Sequence, residues 1–113
     1  MRILLCVVLS VTLSTAAFAR SLTGNQIKQL LIGNTITGVQ DNAPYSEYLD
    51  PQGTISGDSQ GEIYFGRWQI SRNEICFRYA GESKEWVCTG VTLKGSTIIW
   101  DDNTSATLVA GAR

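Results

Sequence analysis

Histidine is missing from this 113-residue chain, proline occurs only twice, methionine once and cysteine three times. Without histidine there is no Ser-His-Asp or Cys-His arrangement, and with so few cysteines there is no four-ligand zinc set. Charge is thin as well. Nine basic residues face ten acidic ones, a formal net charge of -1, and no run of like charge exceeds the pair Asp101-Asp102. Such a chain suits neither a nucleic-acid backbone nor an anionic membrane surface. Asp58-Ser59-Gln60-Gly61-Glu62 loosely suggests a cation loop, but two carboxylates fall short of the six to eight oxygens of a dedicated calcium site. We expect no cofactor, no metal and no nucleic-acid partner, and no catalytic residue.

What is present begins with a long apolar run. Arg2, the stretch Ile3 to Val11 and the small-x-small end Ala17-Phe18-Ala19 have the three parts of a cleavable export signal. We therefore expect residues 1–19 to be a signal peptide and residues 20–113 a single small β-domain, periplasmic or secreted. Cys6 lies inside the apolar stretch and would leave with it. Cleavage removes Arg2 too, leaving eight basic residues against ten acidic ones. No later apolar stretch approaches the ~20 residues needed to span a bilayer, so no stable membrane insertion is expected after cleavage. Cys76 and Cys88 remain, and two cysteines in an exported domain read as one disulfide.

One helix is announced after the signal. Thr23 and Gln26 have capping-box spacing, Ile27, Leu30 and Leu31 form an apolar stripe, and Gly33 fits the left-handed residue that ends a helix. The expected span is Gly24 to Ile32. From Asn34 onward the pattern changes to β-rich runs separated by turn residues: 35–40, 45–49, 54–57, 62–71, 74–80, 85–93, 96–100 and 106–110. The chain reads as mainly β, a short N-terminal helix followed by a seven- or eight-stranded antiparallel meander, curled into a small barrel or a strongly bent sheet.

The register can be tested against itself. A two-residue turn at Arg72-Asn73 sets Ile70 opposite Ile75, Trp68 opposite Phe77 and Gly66 opposite Tyr79; a turn centred on Glu82 then brings Cys76 opposite Cys88. A turn at Lys94-Gly95 puts Val91 opposite Ile98 and Thr89 opposite Trp100. These hairpins select one inner face: Trp68, Ile70, Ile75, Phe77, Val87, Val91, Leu93, Ile98 and Trp100. The disulfide falls on the opposite face among Phe65, Trp86 and Ile99.

That second face carries the first candidate site. Arg67 and Arg78 flank Trp86, and a guanidinium stacked on an indole can offer planar donors to an anion or a sugar. The helix stripe must be buried somewhere, however, and we expect it to cover Phe65, Trp86 and Ile99 with the arginines at the rim. If the helix plugs one end of a barrel instead, the face stays open. Tyr45, Glu47 and Tyr48 form the second candidate; alternation sets Tyr45, Glu47 and Leu49 on one side and Tyr48 on the other. Two half-buried strand tyrosines are the expected outcome there.

The string Gly33-Asn34-Thr35-x-x-Gly38, Tyr45-x-x-Tyr48, Gly66-x-Trp68, Cys76-Phe77 and Cys88 resembles a family of small exported bacterial proteins of unknown function. The resemblance implies a small antiparallel β-domain with no activity to carry over. A weaker likeness, at the level of fold alone, is to periplasmic inhibitors of lysozyme or secreted proteases. The expected function is a non-enzymatic binding or interaction protein whose partner is a protein or an envelope component. The alternatives are such an inhibitor, or a carboxylate-dependent hydrolase of envelope polymers.

Overall fold

A computed structural model describes residues 18–112, so the export signal read from the sequence lies, up to residue 17, outside the described residues. The element order is β1 (Arg20–Ser21), α1 (Gly24–Leu31), β2 (Thr35–Gln40), β3 (Ala43–Leu49), β4 (Thr54–Ser59), β5 (Glu62–Ser71), β6 (Glu74–Tyr79), β7 (Val87–Thr89), β8 (Val91–Lys94), β9 (Thr97–Trp100) and β10 (Ser105–Val109). The strands make one antiparallel sheet in the order β1-β8-β9-β10-β2-β3-β4-β5-β6-β7, curled into a half-barrel. Among the described residues no helix is long and apolar enough to cross a membrane.

Ten strands arise from eight sequence runs for two reasons. The run 85–93 breaks at Gly90: Val87–Thr89 pairs with β6, while Val91–Lys94 pairs with β9 at the far end of the strand order. One residue thus ties the two ends of the curled sheet together. The second addition is β1, two residues too short to carry a periodic signal, which pairs with β8.

The predicted hairpin registers hold where the turn was placed correctly. Ile70 faces Ile75, Trp68 faces Phe77, Gly66 faces Tyr79 and Cys76 faces Cys88. In the β8–β9 hairpin the turn is Gly95-Ser96, and Val91 faces Trp100 rather than Ile98. Gly95 has φ +60°, which suits the first central position of a primed hairpin turn. A shift of two residues leaves every side chain on its expected face, whereas a shift of one would have inverted the strand. β3 starts two residues earlier than expected because Asp41 and Asn42, both at positive φ, form the whole turn.

The helix lies inside the half-barrel, which corrects the expectation that it covers Phe65, Trp86 and Ile99. Ile27 and Leu31 are fully buried in one cluster with Ile36, Leu49, Ile55, Ile75 and Ile98. Its entry is pinned by the Leu22 N–H donating to the Val91 carbonyl, and its exit by the Gly33 N–H donating to the Leu49 carbonyl. The inner face is already aliphatic at this end, so the stripe completes an existing core, which the arginine-bearing outer face could not offer. Thr23 caps the helix as expected: its Oγ1 accepts from the Gln26 backbone while the Gln26 side chain accepts from the Thr23 N–H. Thr23→Ala is expected to cost about 1 kcal/mol, read as a small drop in the urea midpoint. An unchanged midpoint would mean that packing alone holds this helix.

Candidate functional site

The interior has two halves. The half beside α1 is filled by aliphatic side chains. The other half, beyond Trp68, Leu49 and Ile98, is lined by aromatic and acidic ones and opens as a cup of about 540 Å³. Its walls include Tyr45 and Glu47 from β3, Phe77 and Tyr79 from β6, Val87 and Thr89 from β7, and Trp100 and Asp101 at the end of β9. Val87 keeps its predicted alignment opposite Phe77 but is 68% exposed. It stands at the open rim, which corrects its expected place in the packed core.

Glu47 is the floor of this cup. The side chain is only 7% exposed. Its Oε1 accepts from the Tyr64 hydroxyl at 2.9 Å and from the Tyr79 hydroxyl at 2.8 Å. Oε2 receives no hydrogen bond from the described residues, and none of their fully buried side-chain polar atoms lacks a partner, so Oε2 keeps some exposure to solvent. Burial holds the Glu47 carboxyl above the usual carboxylate value; the two tyrosine hydrogen bonds pull it back, and the charge of Glu82 adds to the rise. Burial and then the charge of Glu47 push the phenols of Tyr64, Tyr79 and Tyr45 upward.

The tyrosines converge because of what stands opposite each of them. Tyr45 pairs across the sheet with Gly38, Tyr64 with Gly57 and Tyr79 with Gly66. A Cβ on Gly38 or Gly57 would run into the ring of its own partner tyrosine, and one on Gly66 would press on Tyr79 and the Arg78 carbonyl. Each ring thus leans over a glycine, as aromatic residues do when they cover bare backbone in a sheet. The tilt carries the Tyr64 and Tyr79 hydroxyls to Glu47. The aromatic wall is continuous: Tyr79 packs edge-on to Tyr64 at 5.9 Å and stacks on Phe77 at 6.3 Å, and Phe77 meets Trp100 edge-on at 5.8 Å.

Of the second sequence candidate, Tyr45 and Glu47 come together in the cup, while Tyr48 lies on the other face of β3 and is half-buried. Tyr64 and Tyr79 were not named as site residues from the sequence, although the Gly66–Tyr79 pairing was in hand. The missed signal is Gln60-Gly61, both at positive φ, which forms a two-residue turn and sets Gly57 opposite Tyr64.

The first candidate lies on the outside, with no helix over it. Arg67 and Arg78 are direct cross-strand neighbours, and the Arg78 guanidinium carbon sits 4.7 Å from the centre of the Trp86 ring. The two arginines line a shallow cleft with Phe65, Lys84 and the turn after β6. Phe65 is 59% exposed and Trp86 half-buried. Below them Cys76 is buried and joined to the exposed Cys88 by the predicted disulfide.

Two of the carboxylates at the cup's rim, Asp101 and Asp102, are tied down by hydrogen bonds. Asp101 Oδ2 accepts from the Gly90 N–H at 2.9 Å, and Asp102 Oδ1 accepts from both the N–H and the hydroxyl of Thr104. Those bonds hold the exposed Asp102 carboxyl below the usual range. Among the described residues no group of three or more His, Cys, Asp or Glu is placed to hold a metal ion. No family model, curated protein or solved structure matches this chain.

Proposed function

We propose that the protein is an exported, non-catalytic binding module that receives a small ligand in the mouth of its half-barrel. The observation that carries this reading is Glu47: a buried carboxylate that lines an aromatic cup and is fixed by two tyrosine hydroxyls through one oxygen, with no described residue bonded to the other. A concave, largely apolar pocket with one oriented polar group and a perturbed carboxyl has the usual composition of a ligand site. The disulfide fits an oxidising compartment, which supports export. Catalysis by paired carboxylates has less support, since Asp101 is held by the Gly90 N–H, Asp102 by Thr104 and Glu47 by tyrosines.

Titration with soluble fragments of envelope polymers, followed by amide NMR, tests the reading. Binders are expected to shift Thr89, Gly90 and Asp101 at the rim, and Phe77→Ala is expected to weaken them several-fold. Turnover of such a fragment that disappears in Glu47→Gln, with the fold intact, would instead establish the hydrolase alternative.

A second reading keeps the outer face. With α1 inside the barrel, Arg67, Arg78 and Trp86 are available to an anionic partner, and two like charges directly opposite each other in a sheet are otherwise unfavourable. Fragment shifts confined to Arg67, Arg78 and Lys84, and lost in Arg78→Ala, would move the site there.

A further inference from the structure

The geometry points to an organic ammonium ion as the ligand class of the cup. This rests on the binding reading above and adds the charge of what is bound. Every charged side chain on the cup wall is acidic: Asp41, Glu47, Asp101 and Asp102, with no lysine or arginine among them. Glu82 lies close enough for its charge to act on Glu47 as well. A low-dielectric recess lined by one sign of charge focuses the potential and concentrates the opposite ion.

The aromatic wall acts in the same direction. Tyr45, Phe77, Tyr79 and Trp100 surround the space above Glu47. The faces of such rings attract cations, most strongly when the cation is stripped of water. Phe77 and Tyr79 lie nearly parallel, at 9°, but Trp100 meets Phe77 edge-on at 88°, so the rings that line the cup wall a recess rather than form one flat platform. A flat platform is the geometry that would suit stacking of a neutral ring.

Glu47 supplies the directional contact. With Oε1 already accepting two hydroxyls, Oε2 is the free acceptor, and an ammonium N–H can donate to it while its carbon stem lies against Phe77 and Val87. The carboxylate is buried without a cation among its hydrogen-bond partners, an arrangement that is costly alone and is relieved when an opposite charge enters. No atom or bond changes in this step; the ammonium enters charged and leaves charged.

Three probes of the same length and different charge make the test: n-hexylammonium, 1-hexanol and hexanoate, each titrated into the oxidised protein and followed by amide shifts at Thr89, Gly90 and Asp101. Hexylammonium is expected to saturate these shifts at a concentration at least about tenfold below hexanol, the worth of one charge-assisted hydrogen bond, and hexanoate is expected not to bind. Glu47→Gln keeps an oxygen acceptor for Tyr64 and Tyr79, so the fold should persist; it is expected to remove the preference for hexylammonium while leaving hexanol binding in place. Equal binding of hexylammonium and hexanol, or a preference that survives in Glu47→Gln, would overturn the ammonium inference while leaving the cup as a binding site. Absence of rim shifts with all three probes would overturn both.

Discussion

Replacing Cys76 and Cys88 together by alanine is expected to lower stability by about 3 kcal/mol, the chain-entropy value for releasing a loop of about 13 residues. For a small domain with about 5 to 15 kcal/mol in total, that is a large fraction. The bridge also holds a weak point of the sheet. β7 has three residues, pairs only with β6, and is followed at once by Gly90, where the chain crosses to the other end of the strand order. Val87, Cys88 and Thr89 all line the cup. Loss of the bridge should therefore loosen that wall before the sheet as a whole gives way. Urea unfolding is the measurement: with a slope of about 1.5 kcal/mol per M, the midpoint should fall by roughly 2 M. Amide exchange should accelerate most at Val87 to Thr89. A midpoint unchanged between the oxidised protein and the double variant would mean that the reduced, unfolded chain is already constrained in this loop.

The hairpins β5–β6 and β6–β7 were legible because their cross-strand partners are large or covalently linked. Trp68 opposite Phe77 and Cys76 opposite Cys88 each reject a slip by one residue. The β8–β9 turn was misplaced by one residue, and the pairing thus by two, because Lys94-Gly95 and Gly95-Ser96 are equally plausible turn pairs in sequence, and both keep Val91, Leu93, Ile98 and Trp100 inward. The break at Gly90 was not legible. Val87 to Leu93 reads as one unbroken β-run, and only the closing of the sheet on itself makes one half pair with β6 and the other with β9. Helix α1 was legible as an element, from its capping box to the positive φ of Gly33, but not in its position. An apolar stripe states that it must be buried and is silent about which of two apolar faces receives it.

The site was half legible for a related reason. Alternation along β3 set Tyr45 and Glu47 on one side without saying which, and a lone glutamate among polar residues gives no sign that it will be buried. Its burial depends on Tyr64 and Tyr79, 17 and 32 residues away. Those contacts need the registers of β3–β4, β4–β5 and β5–β6 at once, and the last two are each marked by a glycine directly opposite a tyrosine. Two such pairs pointing to one carboxylate form a pattern visible only after the strands are aligned.

Raising the pH above about 10 is expected to unfold the protein through this same cluster. Tyr64 and Tyr79 have their phenols pushed well above the ordinary value of 10.0, first by burial and then by the neighbouring Glu47 charge. The unfolded chain would ionise them near 10.0, while the folded protein keeps them protonated. Their stabilising contribution is thus fully present below pH 10 and is lost as the pH rises above it. Each phenol can remove up to about 1.4 kcal/mol per pH unit in that range, with Tyr64 contributing less because its ring is partly in solvent. Absorbance at the phenolate band should therefore rise for these tyrosines together with the loss of circular dichroism; complete ionisation of all four tyrosines in a still-folded protein would show that the hydroxyls do not donate to Glu47. Glu47 acts in the acid range with the same sign. Its folded value lies above the ordinary 4.5, so its contribution is present below that value and is lost as the pH rises through the raised one. Glu47→Gln removes this loss and should gain on the parent protein as the pH climbs out of the acid range. An opposite charge held in the cup should do the same for the unaltered protein, because it favours the ionised carboxylate that burial disfavours.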